Sequence, residues 1–593
     1  MPDKTRIRSR VCTESTLKYC HRLMSKLDYL FASTILALAL SVGCTTSDPT
    51  FCDENTPCTD PSAPFCDLAG AVGTKNTCTA PLFDAAPTVA TITVELAGQG
   101  IGSVSSSDGS LECLQSPCTF DVEFGTTLRF LAAADEGTSF VTWSGPCEGF
   151  GECEFVADAS QTLVAVLEPE GSLLWTKKPL RSGPIANAVE SEVIPAAIAI
   201  NSKNDIVVVG GLTGTPDFGG GQLISGDPDE GSREAFAAQF DSSGQHLWSH
   251  AYTGTAFSDD VAEAVVVGNN DEVVFSGRFE DAITFTTPED ALDGSTRETY
   301  LARLDTNGEF ISSGLLEGVS TRVSILPNNE AVVSSTPIRF DWHNRLGVLA
   351  RSLVPTQRVA SANSTTQDSL GITITAGSLA GEVNFTPGSS EGFMQPNGKT
   401  SSFIVKVNQD GVHQSSIKRE VEGITCIVGS TTLAGGYYIV GAATDTDGLR
   451  DDGAPITQEG PFMGFAAFYR NDHTHVWSVD MPSTIQNVAT ACAIDPRGNL
   501  IVGGSFDGET RLSPTGETHL GLGIFVAKYS GINGALVWET FGTGQATVAG
   551  VASDSLGRVG VAVQLAANEA LTIAGETIPA DAAPNLLLMQ LAP

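Results

Sequence analysis

A hairpin-forming stretch recurs along the chain and constrains its fold more than any other feature. In the clearest copy, residues 525–529 (FVAKY) precede a turn through Gly531 and Gly534 and a second run, 535–538 (ALVW). A strand, a tight polar turn and a second strand predict a β-hairpin. Aligned strands begin at Phe236, Tyr300, Val348, Phe403, Phe465, Phe525 and Leu587. The chain is therefore built from a repeated unit.

The composition favours an all-β protein. Charged residues make up 17% of the chain, Gly accounts for 62 of its 593 residues, and runs of Val, Ile, Thr and Phe are broken by Gly, Asn and Asp. Such runs predict short strands joined by turns, and long amphipathic helical patterns are hard to find. The length allows several domains.

Each repeat also contains an earlier pair of strands around a polar turn. One pair is 197–200 (AIAI) and 206–210 (IVVVG), on either side of Asn204 and Asp205. Four strands in about 60 residues, repeated seven times over 171–593, predict a seven-bladed β-propeller. The unit at 320–355 is the shortest and matches worst, which leaves six blades as the alternative count.

The two ends of the repeat array complement each other. The last unit stops at 587–591 and lacks the strand that ends in Trp, whereas the array begins with such a strand at 171–175 (GSLLW). Pairing this strand with the last unit would close the ring and cover an edge that otherwise invites aggregation. We therefore expect the first strand of the array to complete the last blade.

Two motifs in the repeats resemble those of bacterial propeller-repeat proteins, which are common among predicted surface lipoproteins. The pattern D-x-x-G-N-x-x-V-x-G corresponds to 495–504 (DPRGNLIVGG), and F-V-A-K followed by G-x-x-x-W corresponds to 525–538. The resemblance implies a propeller. Trp175, Trp248, Trp477 and Trp538 recur at one repeat position, which predicts structural packing rather than a ligand cage.

The N-terminal residues have the features of an export signal. Residues 29–42 (YLFASTILALALSV) form a mostly apolar run that is too short to span a bilayer comfortably and suits a signal-peptide core. The following residues, 41–44 (SVGC), resemble the lipobox of bacterial lipoproteins, although Ser41 stands where that family prefers Leu. The resemblance implies removal of residues 1–43 and acylation of Cys44, for example with palmitate.

Met24 and Thr45 also bear on the interpretation of this signal. Met24 gives a more usual signal peptide than Met1 and is the alternative start, and an ordinary secretory peptide is the alternative to lipidation. Thr45 is not the Asp that commonly retains such lipoproteins in the inner membrane. The resemblance therefore implies a protein anchored in the outer membrane, facing either the periplasm or the cell surface.

The segment 44–87 is a Cys-rich neck. Four cysteines fall within 27 residues among Pro, Asp, Asn and Thr: Cys52, Cys58, Cys66 and Cys78. A segment this short cannot build an apolar core, and export places it in an oxidising compartment, so we expect two disulfides. Three pairings are open. Zinc is the competing interpretation, but no CxxC spacing and no nearby His support it.

Residues 88–168 form a small β domain. Strand-like runs at 91–96 and 163–167 enclose a G-x-G-x-V hairpin, a C-x4-C pair and F-x-x-W-S-G-x-C. This pattern resembles the divergent InlB B-repeat modules of bacterial surface proteins and implies a β-grasp-like or sandwich spacer. Cys113 with Cys118, and Cys147 with Cys153, are close enough to close local loops. Trp143 is expected to fill the core rather than to stack on a sugar.

Few residues of the repeats have the chemistry of a metal site. The acidic turn at 445–453 interleaves with Gly and is the kind of oxygen-rich loop that Ca²⁺ accepts, but it lacks the EF-hand spacing. Its carboxylates are Asp445, Asp447, Asp451 and Asp452. A solvated loop is the favoured interpretation, as it is for Asp227, Asp229 and Glu230. His473 and His475 lie two residues apart and fit an exposed hairpin tip at least as well as a metal site.

Cys426 and Cys492 occupy equivalent positions in adjacent units. Inner strands of neighbouring blades need not come within disulfide reach, so buried free thiols are slightly favoured over a bridge between blades.

The chain has no sequence signature of an enzyme. HExxH, GxSxG, a P-loop and a dinucleotide fingerprint are all missing from it. The formal charge of −37 repels phosphate backbones and makes nucleic acid a poor partner. We expect a non-enzymatic adhesion, binding or scaffold module that contacts an envelope protein or polysaccharide and needs no cofactor. The alternative is a carbohydrate-acting enzyme with acidic residues in the propeller funnel.

Overall fold

The computed structural model describes most of the chain after residue 88. The described residues are 65–67, 77–79, 89–181, 191–223, 232–254, 258–319, 321–356, 360–396, 401–421, 423–430, 435–444, 449 and 462–593. The predicted signal peptide and Cys44 lie outside them, as do Cys52, Cys58 and both acidic turns (Asp227 to Glu230 and Asp445 to Asp452).

The neck contributes one short antiparallel pair of strands, β1 (Phe65–Asp67) and β2 (Thr77–Thr79). Cys66 of β1 stands opposite Cys78 of β2 in the register of this pair. Cys66 is disulfide-bonded, which favours the disulfide interpretation of the neck over zinc.

The small β domain consists of two four-stranded sheets that share one core. Its strands are β3 (Val89–Ala97), β4 (Gly102–Ser106), β5 (Glu112–Cys113), β6 (Cys118–Glu123), β7 (Thr127–Ala134), β8 (Thr138–Ser144), β9 (Cys153–Val156) and β10 (Gln161–Pro169). One sheet has the order β6-β3-β10-β8 and the other β5-β4-β7-β9. Apolar residues of both sheets alternate inward and meet in a single cluster, so the domain is a β-sandwich.

The sandwich is closed by local disulfides and one tryptophan. Cys113 is bonded to Cys118 and Cys147 to Cys153. Trp143 is only 2% exposed, and its indole Nε1 donates a hydrogen bond to the Gly151 carbonyl. Trp143 is therefore a core residue and is not available to stack on a sugar.

Seven four-stranded sheets follow in the residues that the structure describes, and they form a β-propeller. The strands of blades 1 to 3 are β13 (Glu192–Ile200), β14 (Ile206–Thr213), β16 (Glu234–Phe240) and β17 (His246–Gly254); β18 (Val261–Val267), β19 (Val273–Thr284), β20 (Leu292–Leu304) and β21 (Phe310–Leu316); and β22 (Thr321–Ile325), β23 (Ala331–Ser335), β24 (Arg339–His343) and β25 (Leu349–Leu353).

Blades 4 to 7 repeat the arrangement. Their strands are β26 (Ala360–Gln367), β27 (Thr373–Leu379), β30 (Ser401–Val407) and β31 (His413–Arg419); β32 (Ile424–Gly429), β33 (Tyr437–Ala443), β34 (Met463–Tyr469) and β35 (His475–Met481); β36 (Gln486–Ile494), β37 (Leu500–Thr510), β38 (His519–Tyr529) and β39 (Leu536–Thr543); and β40 (Ala546–Ser553), β41 (Val559–Leu565), β44 (Asn585–Leu591) and β11 (Leu173–Lys177).

Short additional elements connect these strands. They are the ribbons of β12 (Leu180–Arg181) with β15 (Pro216–Asp217), of β28 (Val383–Asn384) with β29 (Phe393–Met394), and of β42 (Leu571–Ile573) with β43 (Glu576–Ile578), together with a single 3₁₀ turn, Pro288–Asp290.

The first strand of each blade lines the centre, and these seven inner strands form a closed ring. Each inner strand contacts that of the next blade, in the order β13, β18, β22, β26, β32, β36, β40 and back to β13. The last blade is completed by the start of the array, because β11 pairs antiparallel with β44. All four described strands of this blade are therefore paired, and the ring of blades is closed.

The recurring V-x-G and F-x-A elements have a direct structural cause. In five blades, a glycine of the second strand stands opposite an aromatic residue of the third, as Gly504 stands opposite Phe525. A Cβ on Gly504 would lie 2.5 Å from the ring of Phe525. The ring therefore covers the bare backbone, and neither residue can be exchanged without loss of packing.

Blade 3 departs from the repeat that the sequence predicts. Its third strand is β24, which contains Phe340, and Val348 lies in the turn before β25. Alignment of Val348 with the other third strands is therefore wrong. The second and third strands of this blade are joined by only 336–338, which include Pro337, so the third strand begins earlier than in the longer blades.

The sandwich and the propeller belong to one compact unit, residues 90–593. Ser139 Oγ donates a hydrogen bond to the Pro593 carbonyl at 3.3 Å, and the guanidinium of Arg558 lies 4.7 Å from the ring centre of Phe150. The small domain thus packs directly on blade 7. Within the described residues, no helix is long and apolar enough to cross a membrane.

Candidate functional site

The propeller has two faces that differ in their side chains. We call the face at which the inner strands begin the entry face, and the face that carries the first turn of each blade, such as 201–205 and 495–499, the turn face. On the entry face, arginines and carboxylates of blades 1 and 2 form one connected group, which we call the arginine–carboxylate cluster. Its members are Glu192, Arg233, Glu234, Asp259, Asp260, Glu263, Arg278, Glu280 and Arg297.

Asp259 is the centre of this cluster. Its carboxylate contacts Arg233 at 3.1 Å, Arg278 at 3.2 Å and Arg297 at 3.3 Å. The three arginines come from blades 1 and 2, so one side chain ties the two blades together. The ion pairs are partly open to solvent, and such pairs contribute little each to stability. They give the entry face a charged region.

Two carboxyl groups lie beneath this charged region. Glu234 is 1% exposed and Asp260 is fully buried, and both lie close to Gly254. The Gly254 amide donates to Glu234 at 2.7 Å, while the Glu280 amide and the Ser258 hydroxyl donate to Asp260 at 2.9 and 3.1 Å. Burial raises the pKa of Asp260 to about 7, despite these donors, and also raises the pKa of Glu234.

Buried polar atoms without a hydrogen-bond partner accompany these carboxyls. They include Oε1 of Glu234 and the hydroxyls of Tyr252 and Tyr300. Burial raises the pKa of both tyrosines, and the Asp260 carboxylate is among the further causes for Tyr300. A raised carboxyl pKa is also what a general acid requires. However, a group that solvent does not reach cannot meet a substrate in this conformation.

The centre of the propeller is occupied by links between blades. Six inner strands contain a β-bulge. In several of them the side chain of the bulged residue hydrogen-bonds to the next blade. Thr425 donates to the Ala489 carbonyl at 2.6 Å and Thr490 to the Val548 carbonyl at 2.9 Å. Asn363 and Arg322 make equivalent bonds at 2.8 Å. These polar residues of the inner strands therefore hold neighbouring blades together.

Cys426 and Cys492 form a disulfide, so the expectation of free thiols is wrong. Cys426 lies on β32 and Cys492 on β36, which are neighbouring inner strands in direct contact. Their Cα atoms are 5.9 Å apart, within the range that a disulfide requires. Both follow a β-bulge, and the bulge alters the local direction of each strand in a way that residue spacing does not show.

The predicted metal-site residues have different outcomes. His473 is not on an exposed tip, because it is 9% exposed and bridges blades 4 and 5. Its ring nitrogens lie 2.8 Å from the Tyr437 hydroxyl and 2.9 Å from the Ser415 hydroxyl, and burial lowers its pKa to about 4. Among the described residues, no group of three or more His, Cys, Asp or Glu is placed to hold a metal ion. The carboxylates Asp445, Asp447, Asp451 and Asp452 of the acidic turn lie outside those residues.

The recurrent tryptophans pack on the next blade, a relationship that the sequence analysis missed. Trp248 of blade 1 lies against Gly308 of blade 2, and Trp477 of blade 5 against Gly534 of blade 6. Trp175 and Trp538 make the same contact with Gly244 and Gly171. The sequence contained this signal, because the Gly and the Trp both belong to the G-x-x-x-W motif. The Gly of a motif contacts the Trp of the preceding blade, and its Trp packs on the equivalent Gly of the following blade.

No protein-family model matches the chain, and no curated protein matches it. Among solved structures, it is similar to BamB from Moraxella catarrhalis, with a TM-score of 0.31 and 11% identity over 70% of this chain and 100% of that chain. It is also similar to the C-terminal WD40 domain of Sif2, with a TM-score of 0.32 and 8% identity over 70% of this chain and 99% of that chain. A chain of the Mitotic Checkpoint Complex gives a TM-score of 0.37 and 8% identity over 70% and 96%. The assignment of the seven-bladed propeller rests on the sheet topology of the chain itself.

Proposed function

We propose that the chain is a non-enzymatic binding or scaffold protein that uses its propeller as a rigid platform. The observation that carries this proposal is the ring of inner strands. Neighbouring blades are joined there by side-chain hydrogen bonds to backbone carbonyls and, between blades 5 and 6, by a disulfide. A ring held in this way presents the loops of two faces in a constant geometry, which suits recognition of a partner.

The alternative, a carbohydrate-acting enzyme, has one observation in its favour. Asp260 has a pKa of about 7, as a general acid would need. Two observations weigh more heavily against it, because Asp260 is fully buried and its carboxyl oxygens already accept bonds from Glu280 and Ser258. A structural role between blades 1 and 2 accounts for both carboxyls, and binding is the better supported function.

The proposal includes a location in the cell envelope. The apolar run at 29–42 and the lipobox-like 41–44 support export and lipidation at Cys44, with the outer membrane as the site of the anchor. Disulfides in the sandwich and in the propeller support an oxidising compartment. The formal charge of −37 disfavours nucleic acid, so an envelope protein or polysaccharide is the proposed partner.

The test uses the mature chain, residues 44–593, cross-linked to an envelope extract with and without Ca²⁺. We expect one envelope protein or polysaccharide to be retained reproducibly and to be lost when unlabelled protein competes. Retention that requires Ca²⁺ would assign a role to the turn at Asp445 to Asp452. Failure to retain any component under either condition, combined with turnover of a glycan in a substrate screen, would replace the binding function with the enzymatic one.

A second test concerns the anchor. Cells expressing the full chain are labelled with a palmitate analogue, and Cys44→Ser serves as the variant. We expect the label on the natural chain and its loss from the variant. Equal labelling of both chains would exclude Cys44 as the acylated residue.

A further inference from the structure

The first turns of neighbouring blades are joined on the turn face by a recurring side-chain contact. In three junctions, the fourth residue of one turn accepts hydrogen bonds from the second residue of the turn in the preceding blade. The pairs are Asp271 with Ser202, Asn204 with Ser555, and Asn329 with Asn269, at donor–acceptor distances of 2.7 to 3.1 Å. A carboxylate or carboxamide oxygen therefore lies between the turns in each of these junctions.

The junction between blades 6 and 7 lacks this contact. The fourth residue of the blade 7 turn is Gly557, which has a φ of +86° and no side chain that could accept a hydrogen bond. The second residue of the blade 6 turn is Pro496, which has no amide hydrogen to donate. A cavity of about 180 Å³ lies here, and both residues line it. This junction therefore has a cavity where the other three have an acceptor side chain.

We call this cavity the turn pocket. Its lining is completed by Asp495, Arg497, Lys528, Ser555, Leu556 and Pro593. Lys528 is 4% exposed, and its ammonium group lies 3.3 Å from the Asp495 carboxylate and 3.4 Å from the Gly557 carbonyl. Both distances are long for a charged donor, so the ammonium group has hydrogen-bonding capacity left for a ligand.

Arg497 adds a second cation to the turn pocket. Its side chain is exposed and forms no ion pair with another residue in the part of the chain that the structure describes. The side chains of the pocket thus carry two positive charges, on Arg497 and Lys528, against the single negative charge of Asp495. A pocket with this balance attracts an anion, although the formal charge of the whole chain is −37.

We propose that the turn pocket binds a small organic carboxylate, namely a uronate residue of an acidic polysaccharide. This proposal rests on the proposed binding function and names one ligand class for it. The ligand carboxylate would lie where Asp271 places its carboxylate between blades 1 and 2. Arg497 and Lys528 would donate to it, in place of the amide and the hydroxyl that the other junctions use.

The rest of the lining favours a sugar over an acidic side chain of a protein. A carboxylate alone would leave much of the cavity to water. The Gly557 carbonyl and the Ser555 hydroxyl offer acceptors to sugar hydroxyls, and Leu556 and Pro593 offer apolar surface to the ring. The cavity is smaller than the about 300 Å³ from which sites for drug-sized molecules begin, so it suits a single sugar residue.

The test is isothermal titration calorimetry on the mature chain with four probes. They are D-glucuronate, its methyl glycoside, D-glucose and the α-amide of N-acetylglutamate. We expect glucuronate and its methyl glycoside to bind at one site per chain with similar affinity, because the glycoside imitates the end of a polysaccharide. Glucose, which lacks the carboxylate, and the glutamate derivative, which lacks the ring, should each bind at least about tenfold more weakly.

One variant fills the turn pocket with a side chain of the chain's own design. Gly557→Asn places at this position the residue that blade 1 has as Asn204, which itself has a φ of +68°. The added Cβ would lie 3.5 Å from Cβ of Pro593, an ordinary contact, so the variant should fold with an unchanged melting temperature. We expect it to lose the binding of glucuronate.

A second variant removes the cation that is exposed. Arg497→Gln should weaken the binding of glucuronate by about fivefold or more, because one charged donor is lost. The matched control is Lys203→Gln, since Lys203 is an exposed basic residue at the same position of the blade 1 turn. Asp271 already lies beside that turn, and the control should bind glucuronate as the natural chain does.

Several results would overturn this proposal. They are the absence of glucuronate binding, equal binding of glucose, binding of free glucuronate but not of its methyl glycoside, and tighter binding of the glutamate derivative. Unchanged binding by a folded Gly557→Asn variant would also overturn it. The result is separable from that of the envelope cross-linking, because a partner retained equally by the natural chain and by Gly557→Asn would refute the turn pocket while leaving the binding function intact.

Discussion

Gly171 lies against the indole ring of Trp538, and this contact joins the first residue of the propeller array to its sixth blade. A Cβ at position 171 would be 2.7 Å from Cε3 of the tryptophan. Thr540, on the same strand as Trp538, also donates a hydrogen bond to the Gly171 carbonyl at 2.7 Å. Closure of the ring therefore uses the same Trp-on-Gly contact that joins blade 1 to blade 2 and blade 5 to blade 6.

Gly171→Ala should destabilise the propeller at this junction. Gly171 has a φ of +72°, which costs an L-residue energy, and the added methyl group would also press on the indole. We expect the free energy of unfolding to fall by about 2–3 kcal/mol in urea denaturation. Gly109→Ala is the matched control, since Gly109 has a φ of +70° and no atom within 4 Å of the added Cβ. Its loss should be about 1 kcal/mol, and equal losses at the two sites would contradict the packing argument.

The sequence predicted the repeat because each blade carries local signals that are independent of the rest of the chain. Turn glycines, alternating strands and the G-x-x-x-W spacing locate the strands, and the surplus strand at 171–175 indicates how the ring closes. Blade 3 has Ser334 opposite Phe340, where five blades have a glycine opposite the aromatic residue, and its second and third strands are joined by only three residues, so Val348 was aligned where Phe340 belongs. A unit is misaligned when it has lost the residues that mark the strands in the other units.

Features that depend on the distance between blades could not be predicted in this way. The bond between Cys426 and Cys492 requires two neighbouring inner strands to approach to a Cα separation of 5.9 Å, with a β-bulge in each strand. The buried pair of Glu234 and Asp260 meets only when blades 1 and 2 pack around Gly254. Neither bulges nor packing between blades leaves a periodic signal in one sequence.

Stability should depend on pH through Asp260. Below about pH 4 the carboxyl is protonated in both folded and unfolded chains. As the pH rises towards 7, the unfolded chain releases this proton while the folded chain retains it, because burial raises the folded pKa to about 7. This group therefore lowers the stability as the pH rises from about 4 to about 7, with no further change above.

The measurement is the melting temperature of the natural chain and of Asp260→Asn at pH 4.5 and 8. As the pH rises from 4.5 to 8, we expect the free energy of unfolding of Asp260→Asn to increase by on the order of 2–4 kcal/mol relative to that of the natural chain. Glu569→Gln, at an exposed position, is the control and should leave the pH profile as it is. Parallel profiles for the natural chain and Asp260→Asn would show that Asp260 is ionised in the folded protein.

Loss of the disulfide between blades should cost more than loss of a local one. The Cys426–Cys492 bond closes a loop with a sequence separation of 66, against 5 for Cys113–Cys118. Chain entropy assigns about 4 kcal/mol to the long loop and about 2 kcal/mol to the short one. Urea denaturation of the Cys426→Ala/Cys492→Ala and Cys113→Ala/Cys118→Ala variants checks this order. A larger loss in the second variant would mean that the sandwich, rather than the ring, limits the stability of the unit.

The hydrogen bonds between inner strands give a final prediction, because each can be removed by one nearly isosteric change. Thr425→Val removes the hydrogen bond that the Thr425 hydroxyl donates to the Ala489 carbonyl, so this carbonyl loses a donor. We expect a loss of about 1–2 kcal/mol in the free energy of unfolding. Thr547→Val, on the inner strand of blade 7, is the control, since Thr547 is exposed, and it should change stability by less than about 0.5 kcal/mol.

Because the bond joins blades 5 and 6, hydrogen exchange in Thr425→Val should accelerate on β32 and β36 before it does so on β13. Uniform acceleration around the propeller would indicate that the ring opens as one cooperative unit instead of blade by blade.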